Sequence, residues 1–123
     1  MKLICAWLIA TLVPASAIAG PLTVSGVGTN SCGQWIAEHE SPTRATVRGA
    51  LMNDWVWGFV TSVNQFSPHS NNANIQGGTD DTALVAWVTS YCGTHPLDPL
   101  VTAAARLVLA LRTRAHDDEP GQQ

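Results

Sequence analysis

Cys32 and Cys92 restrict the fold of this chain more than any other feature, because they follow a stretch with the organisation of an export signal. Lys2 supplies a positive charge, Leu3 to Pro14 is an uncharged apolar run, and Ala17-Ile18-Ala19 has the small-x-small form that signal peptidases accept. Cleavage is expected after Ala19, with Gly20 as the mature N-terminus and the periplasm as the destination. About twelve apolar residues are too few to cross a hydrocarbon layer roughly 30 Å thick, so the run reads as a signal and not as an anchor. Cys5 lies within the part removed. In an oxidising compartment the two remaining cysteines allow one pairing, and the sequence predicts a Cys32–Cys92 disulfide. Closing a loop of about sixty residues would restrict the unfolded state by roughly 4 kcal/mol in the chain-entropy model, comparable to the net stability of a small domain.

With the signal removed, about 104 residues remain, enough for one domain with a modest core. No lysine is left; Arg44, Arg48, Arg106, Arg112 and Arg114 stand against nine acids, a formal charge of about −4. An acidic surface without a basic cluster argues against nucleic acid and anionic membrane as partners. There is no CxxC, and His39, His69, His95 and His116 lack paired ligand spacing, so neither a metal nor a cofactor is expected.

Apolar periodicity divides residues 31–112 into four helices. Residues 20–30 read as an extended lead segment. Ser31 caps a short helix carrying Cys32, Trp35 and Ile36 on one face. Ser41-Pro42 starts a long helix whose stripe is Val47, Leu51, Trp55, Phe59, Ser62 and Phe66, widened by Met52, Val56, Val60 and Val63. Pro68 and the Ser-, Asn- and Gly-dense run His69 to Gly78 end it. Thr79-Asp80-Asp81 opens a third helix with the stripe Ala83, Leu84, Trp87, Val88 and Tyr91, stopping at Gly93. Asp98-Pro99, with Asp98 as cap followed by proline, opens the last, with Leu100, Val101, Ala104, Leu107, Val108 and Leu111. Residues 113–123 read as a disordered tail. The expected fold is all-α, a compact bundle of about four short helices stapled by one disulfide from the start of the first helix to the end of the third.

Residues that could carry catalysis are better explained otherwise. His69, Ser70 and Asp80 are of the right types for a nucleophilic set but read as loop and cap residues without a motif. Glu38-His39-Glu40 are neighbours on a helix end and point apart. Gly77-Gly78 lacks the lysine and spacing of a phosphate loop and reads as a turn. No enzymatic activity is expected. Trp57 lies about 200° around the helix from Trp55, among Asn53, Thr61 and Asn64. Either the lead segment or the loop Ser67 to Gly78 covers it, or it anchors a protein partner. Trp57 and the loop residues Asn71, Asn72 and Asn74 are the candidate partner-binding residues.

Ser31-Cys32-Gly33 with Trp35, Trp57-Gly58-Phe59-Val60 with Asn64, Asp80, Ala86-Trp87-Val88 with Tyr91-Cys92, and His95-Pro96-Leu97 leading into Ala103-Ala104 together resemble small exported helical proteins of proteobacteria. Two groups are similar over roughly residues 31–112: acid-stress chaperones of the HdeA/HdeB type and immunity proteins of the Rap/Tai type. The resemblance implies a periplasmic helical protein with one disulfide and no cofactor that works by binding protein. In the first group low pH loosens the fold and exposes apolar surface that holds unfolded clients. Protonating the acids and histidines would swing the mature charge here from about −4 to about +10 counting the N-terminus, and repulsion of that size opposes a compact state. The chaperone group is typically lysine-rich, whereas this mature chain has none. In the second group the protein binds and blocks a toxin enzyme through a surface that differs between members. The expected function is therefore an acid-stress holdase or, alternatively, an immunity or inhibitor protein.

Overall fold

The computed structural model describes residues 23–40, 46–66 and 74–118. The segment read as an export signal, the expected Ser41-Pro42 helix start, the loop with Asn71 and Asn72, and the chain after Asp118 lie outside the described residues. Four helices form the body: α1 (Cys32–His39), α2 (Val47–Phe66), α3 (Asp81–Thr94) and α4 (Leu100–Asp117). No strand occurs among the described residues, and the all-α bundle is as expected.

The lead segment departs from the extended form expected for it, because Gly26–Thr29 make a 3-10 turn. Gly26 supplies a positive φ of 71°, and the Thr29 hydroxyl donates to its carbonyl at 3.0 Å. Ser31 then caps α1 as predicted, its hydroxyl accepting from Gln34 N–H at 3.2 Å. The first two amides of α1 donate to the chain before α4: Cys32 N–H to the Asp98 carbonyl (2.7 Å) and Gly33 N–H to that of Pro96 (2.9 Å). A helix's first turn has amides with no intrahelical acceptor, and here backbone supplies two of the missing partners.

Asp80 caps α3 by accepting from Ala83 N–H at 2.8 Å, and the helix runs one residue past Gly93. The matching expectation for Asp98 fails. Pro99 is the cap residue of α4 without a side-chain cap bond, and the Asp98 carboxylate instead accepts from Tyr91 Oη–H at 2.6 Å. The tail expectation also needs correction: α4 continues to Asp117, five residues beyond Arg112. Its added turns are anchored. Arg114 Nη2 donates to the carbonyls of Gln76 (3.3 Å) and Gly77 (3.0 Å) and to Thr79 Oγ1 (2.6 Å), and Arg114 and His116 sit where the helix dipole favours cations.

α1 and α4 each touch all three other helices, so α2 and α3 are joined through them. The core between them contains Trp35, Met52, Val56, Val60, Leu84, Val88, Leu100, Ala103, Leu107 and Leu111. No buried residue among those described is polar or charged. The disulfide closes at the centre of this core: Cys32 and Cys92 are fully buried, their Cα atoms 4.7 Å apart across 60 residues of chain. Trp35 adds a second tie between α1 and α3, its indole N–H donating to Thr89 Oγ1 at 2.9 Å.

Candidate protein-binding face

α2 is turned by roughly a third of a revolution from the orientation its widest apolar stripe suggests. The line that faces the core is Gly49, Met52, Val56 and Val60. Successive residues advance by about 100°, so Trp55 and Trp57 fall on opposite flanks of Val56. Both are half-buried and pack against the core from either side, which removes the apparent conflict of two tryptophans competing for one core. The lead segment covers Trp55. Trp55 Nε1 donates to the Ser25 carbonyl at 3.2 Å, and its ring occupies the space where a side chain on Gly28 would stand.

The orientation has a reason that the stripe alone does not disclose. Gly49 lies where the N-terminal end of α2 meets α1: a Cβ there would stand in ordinary contact, 3.6 Å, with the Glu38 Cβ and carbonyl oxygen, and 3.1 Å from the Thr46 hydroxyl. The seam is then locked by polar contacts. The Thr46 hydroxyl donates to Glu38 Oε2 and accepts from Gly49 N–H, while Arg48 Nε lies 3.8 Å from Glu38 Oε1. His39 Nδ1 lies 2.8 Å from the Trp35 carbonyl oxygen, and Nε2 lies 2.8 Å from the side-chain carboxamide of Asn53. The His39 ring also stacks on Trp35 with centroids 4.0 Å apart. Glu38 and His39 thus hold two helices together.

What remains outside is the other half of the expected stripe. Leu51 is 53% exposed, Val47 80% and Phe66 85%. Between them lie half-buried Trp55 and Phe59, stacked with centroids 5.5 Å apart. Gly58 opens onto the same side, and a side chain added there would meet nothing within 4 Å. From Leu51 to Phe66 this face runs for about 22 Å at 1.5 Å per residue. Apolar side chains at helical spacing on an outer surface are the arrangement that receives an apolar segment of another chain.

The other candidates fall into structural roles. Asn74 is exposed, but its carboxamide oxygen accepts from Gln76 N–H and from Asn64 Nδ2, each at 3.0 Å, which fixes the turn leading to Gly78. Asn64 Oδ1 accepts from Ile75 N–H, and Ile75 plugs the core. Gly77-Gly78 is a turn, with Gly78 at φ 70°. Asp80 is the cap already described, whereas His69, Ser70, Asn71 and Asn72 lie outside the described residues. Among the described residues no three His, Cys, Asp or Glu side chains are grouped to hold a metal ion, and no helix is long and apolar enough to cross a membrane.

One polar cluster on the surface was not anticipated. The Tyr91 ring stacks between Trp87 (5.8 Å) and His95 (4.3 Å) along α3. Its phenol is held above its ordinary pKa of 10.0, first by the hydrogen bond to Asp98, then by desolvation and the Asp98 charge, with Arg106 opposing. The i, i+4, i+8 spacing of Trp87, Tyr91 and His95 is visible in the sequence; the return of Asp98 to Tyr91 depends on the turn between α3 and α4. Searches against protein-family models, curated proteins and solved structures find no match.

Proposed function

We propose that this chain is an exported, non-enzymatic protein-binding domain whose working surface is the outer face of α2, acting as a holdase for unfolded proteins under acid stress. The carrying observation is the outward line of exposed Leu51 and Phe66 with half-buried Trp55 and Phe59 between them, backed by the apolar core. Such a face offers burial to apolar segments without selecting one sequence, as a holdase requires. Acid would enlarge it. The seam between α1 and α2 and the link between α3 and α4 both use a carboxylate as acceptor, Glu38 and Asp98, and α3 is capped by a third, Asp80. In acid the net positive charge of the whole chain opposes the compact state, while the disulfide limits how far the chain can open.

The test is suppression of aggregation of an unrelated acid-unfolded protein at about pH 2 to 3, where carboxylates are protonated, and again at neutral pH. The oxidised wild type is compared with a Leu51→Asp/Phe66→Asp double variant. Both positions are exposed, so the variant is expected to keep its fold. Protection by the wild type in acid, reduced in the variant, supports the reading. Absence of protection by a helical, oxidised wild type overturns it and transfers the function to the alternative, inhibition of one specific enzyme.

A further inference from the structure

We propose that the peptide bond between Asp98 and Pro99 is a latent self-cleavage site in acid, and that the folded chain guards it by holding the Asp98 carboxyl on the Tyr91 hydroxyl. Asp98-Pro99 is the single Asp–Pro pair in the sequence, and it stands where α4 joins the rest of the fold. The assignment does not depend on what the α2 face binds.

The chemistry is that open to any Asp–Pro bond. An oxygen of the Asp98 carboxyl attacks the carbonyl carbon of the same residue and closes a cyclic anhydride. The bond from that carbon to the Pro99 nitrogen breaks, and the nitrogen leaves as a secondary amine carrying the carboxyl proton. Water then opens the anhydride, which leaves Asp98 as a free C-terminus. The prolyl nitrogen is more basic than an ordinary amide nitrogen and takes up the proton more readily, so acid selects this bond. Only water is consumed.

The structure restrains both reacting groups. Asp98 Oδ2 accepts from Tyr91 Oη–H at 2.6 Å, and the Tyr91 ring is itself stacked between Trp87 and His95 on α3. The Asp98 carbonyl accepts from Cys32 N–H at 2.7 Å, and on the far side of Pro99 the Leu100 N–H donates to the Asn30 carbonyl at 2.7 Å. Ring closure needs the carboxyl oxygen within about 3–3.5 Å of the carbonyl carbon and aligned with it. A carboxyl tied to a ring on α3, beside a carbonyl tied to α1, is not free to turn into that position. The hold does not depend on charge, because a protonated carboxyl keeps acceptor capacity for the phenol. The charged and titratable groups around the pair are His95, whose ring lies against Tyr91, and Arg106 on α4, whose charge acts on the Tyr91 phenol.

A cut here would free the piece from Pro99 onward, which contains α4 and no cysteine. Leu100, Ala103, Leu107 and Leu111 would then stay in the core by packing alone. A chain that opens in acid would therefore remain whole for a limited time.

The experiment takes purified oxidised wild type, Tyr91→Phe and Asp98→Glu at the lowest pH at which circular dichroism shows wild type and Tyr91→Phe folded. Each is incubated with and without denaturant, and fragments are followed by mass spectrometry. Wild type is expected to be cut after Asp98, at least about tenfold more slowly when folded than in denaturant. Tyr91→Phe keeps a ring between Trp87 and His95 but loses the hydroxyl. Folded, it should be cut faster than folded wild type, while in denaturant the two rates should match. Asp98→Glu, with a longer arm, should resist in both states. A folded wild type cut as fast as the denatured chain overturns the proposal, as does a denatured wild type that stays whole at Asp98. A folded Tyr91→Phe as slow as folded wild type also overturns it. The wild-type comparison stands without the variants.

Discussion

The indole of Trp55 occupies the volume that any side chain on Gly28 would need. This contact fastens the 3-10 turn to α2, and the same ring stacks on Phe59. Gly28→Ala is expected to destabilise the fold by about 1–3 kcal/mol, since a large half-buried ring must move to admit one methyl group. Gly58→Ala is the control. It places the same methyl on α2 where nothing lies within 4 Å, and better helix propensity should stabilise by up to about 1 kcal/mol. Urea unfolding followed by tryptophan fluorescence distinguishes the two.

Removing the cross-link with Cys32→Ser/Cys92→Ser is expected to lower stability by about 2–4 kcal/mol, as for a loop of this length. Both positions are fully buried, so two hydroxyls in the apolar core add to the loss. Chemical denaturation of the oxidised wild type against the variant measures it. A change below 1 kcal/mol would contradict the assigned role.

Tyr91 is the chain's single tyrosine, so the alkaline rise in tyrosinate absorbance reports this site alone. Its midpoint is expected above 10.0 in the wild type and closer to that value in Asp98→Asn, which keeps an acceptor but removes the charge. The sign for stability follows. A folded state that holds the phenol proton more tightly than the unfolded chain gains stability below the unfolded value, and loses it as pH rises through the folded one. Melting temperature should accordingly fall more steeply above about pH 10 in the wild type than in Asp98→Asn.

Truncation after Arg112 tests the last turns of α4. It removes three contacts to the segment from Gln76 to Thr79, which should become more sensitive to protease, and Arg114→Ala alone should reproduce most of that effect. Limited proteolysis with mass spectrometry locates the cuts. Unchanged resistance in both variants would return residues beyond Arg112 to the status of a dispensable tail.

The helices and the cystine were legible because their signals are local or unique: caps at Ser31 and Asp80, apolar spacing along α4, and two cysteines beyond the expected signal. The face of α2 was harder. Val47, Leu51, Trp55, Phe59 and Phe66 form a wider apolar line than Met52, Val56 and Val60, yet the narrower line is buried. Hydrophobic spacing identifies apolar rows, but which row is buried depends on how the other segments pack, and the polar seam of Glu38, Thr46 and Arg48 between α1 and α2 leaves no apolar signal. The same holds for Asp98, which the local pattern makes a helix cap and the turn makes a partner of Tyr91. Contacts made across the fold, such as Arg114 to Gln76, leave no mark in local spacing.

The cystine also divides the chain by mechanics. α1, α2 and α3 lie within the covalent ring from Cys32 to Cys92, while α4 lies wholly outside it. A force applied to the two ends of the folded chain would therefore bypass the ring and load α4, together with the lead segment docked beside it. α4 would peel away first, uncovering the inner surfaces of α1, α2 and α3, and those three helices would stay tethered to one another at the moment their apolar sides came into view.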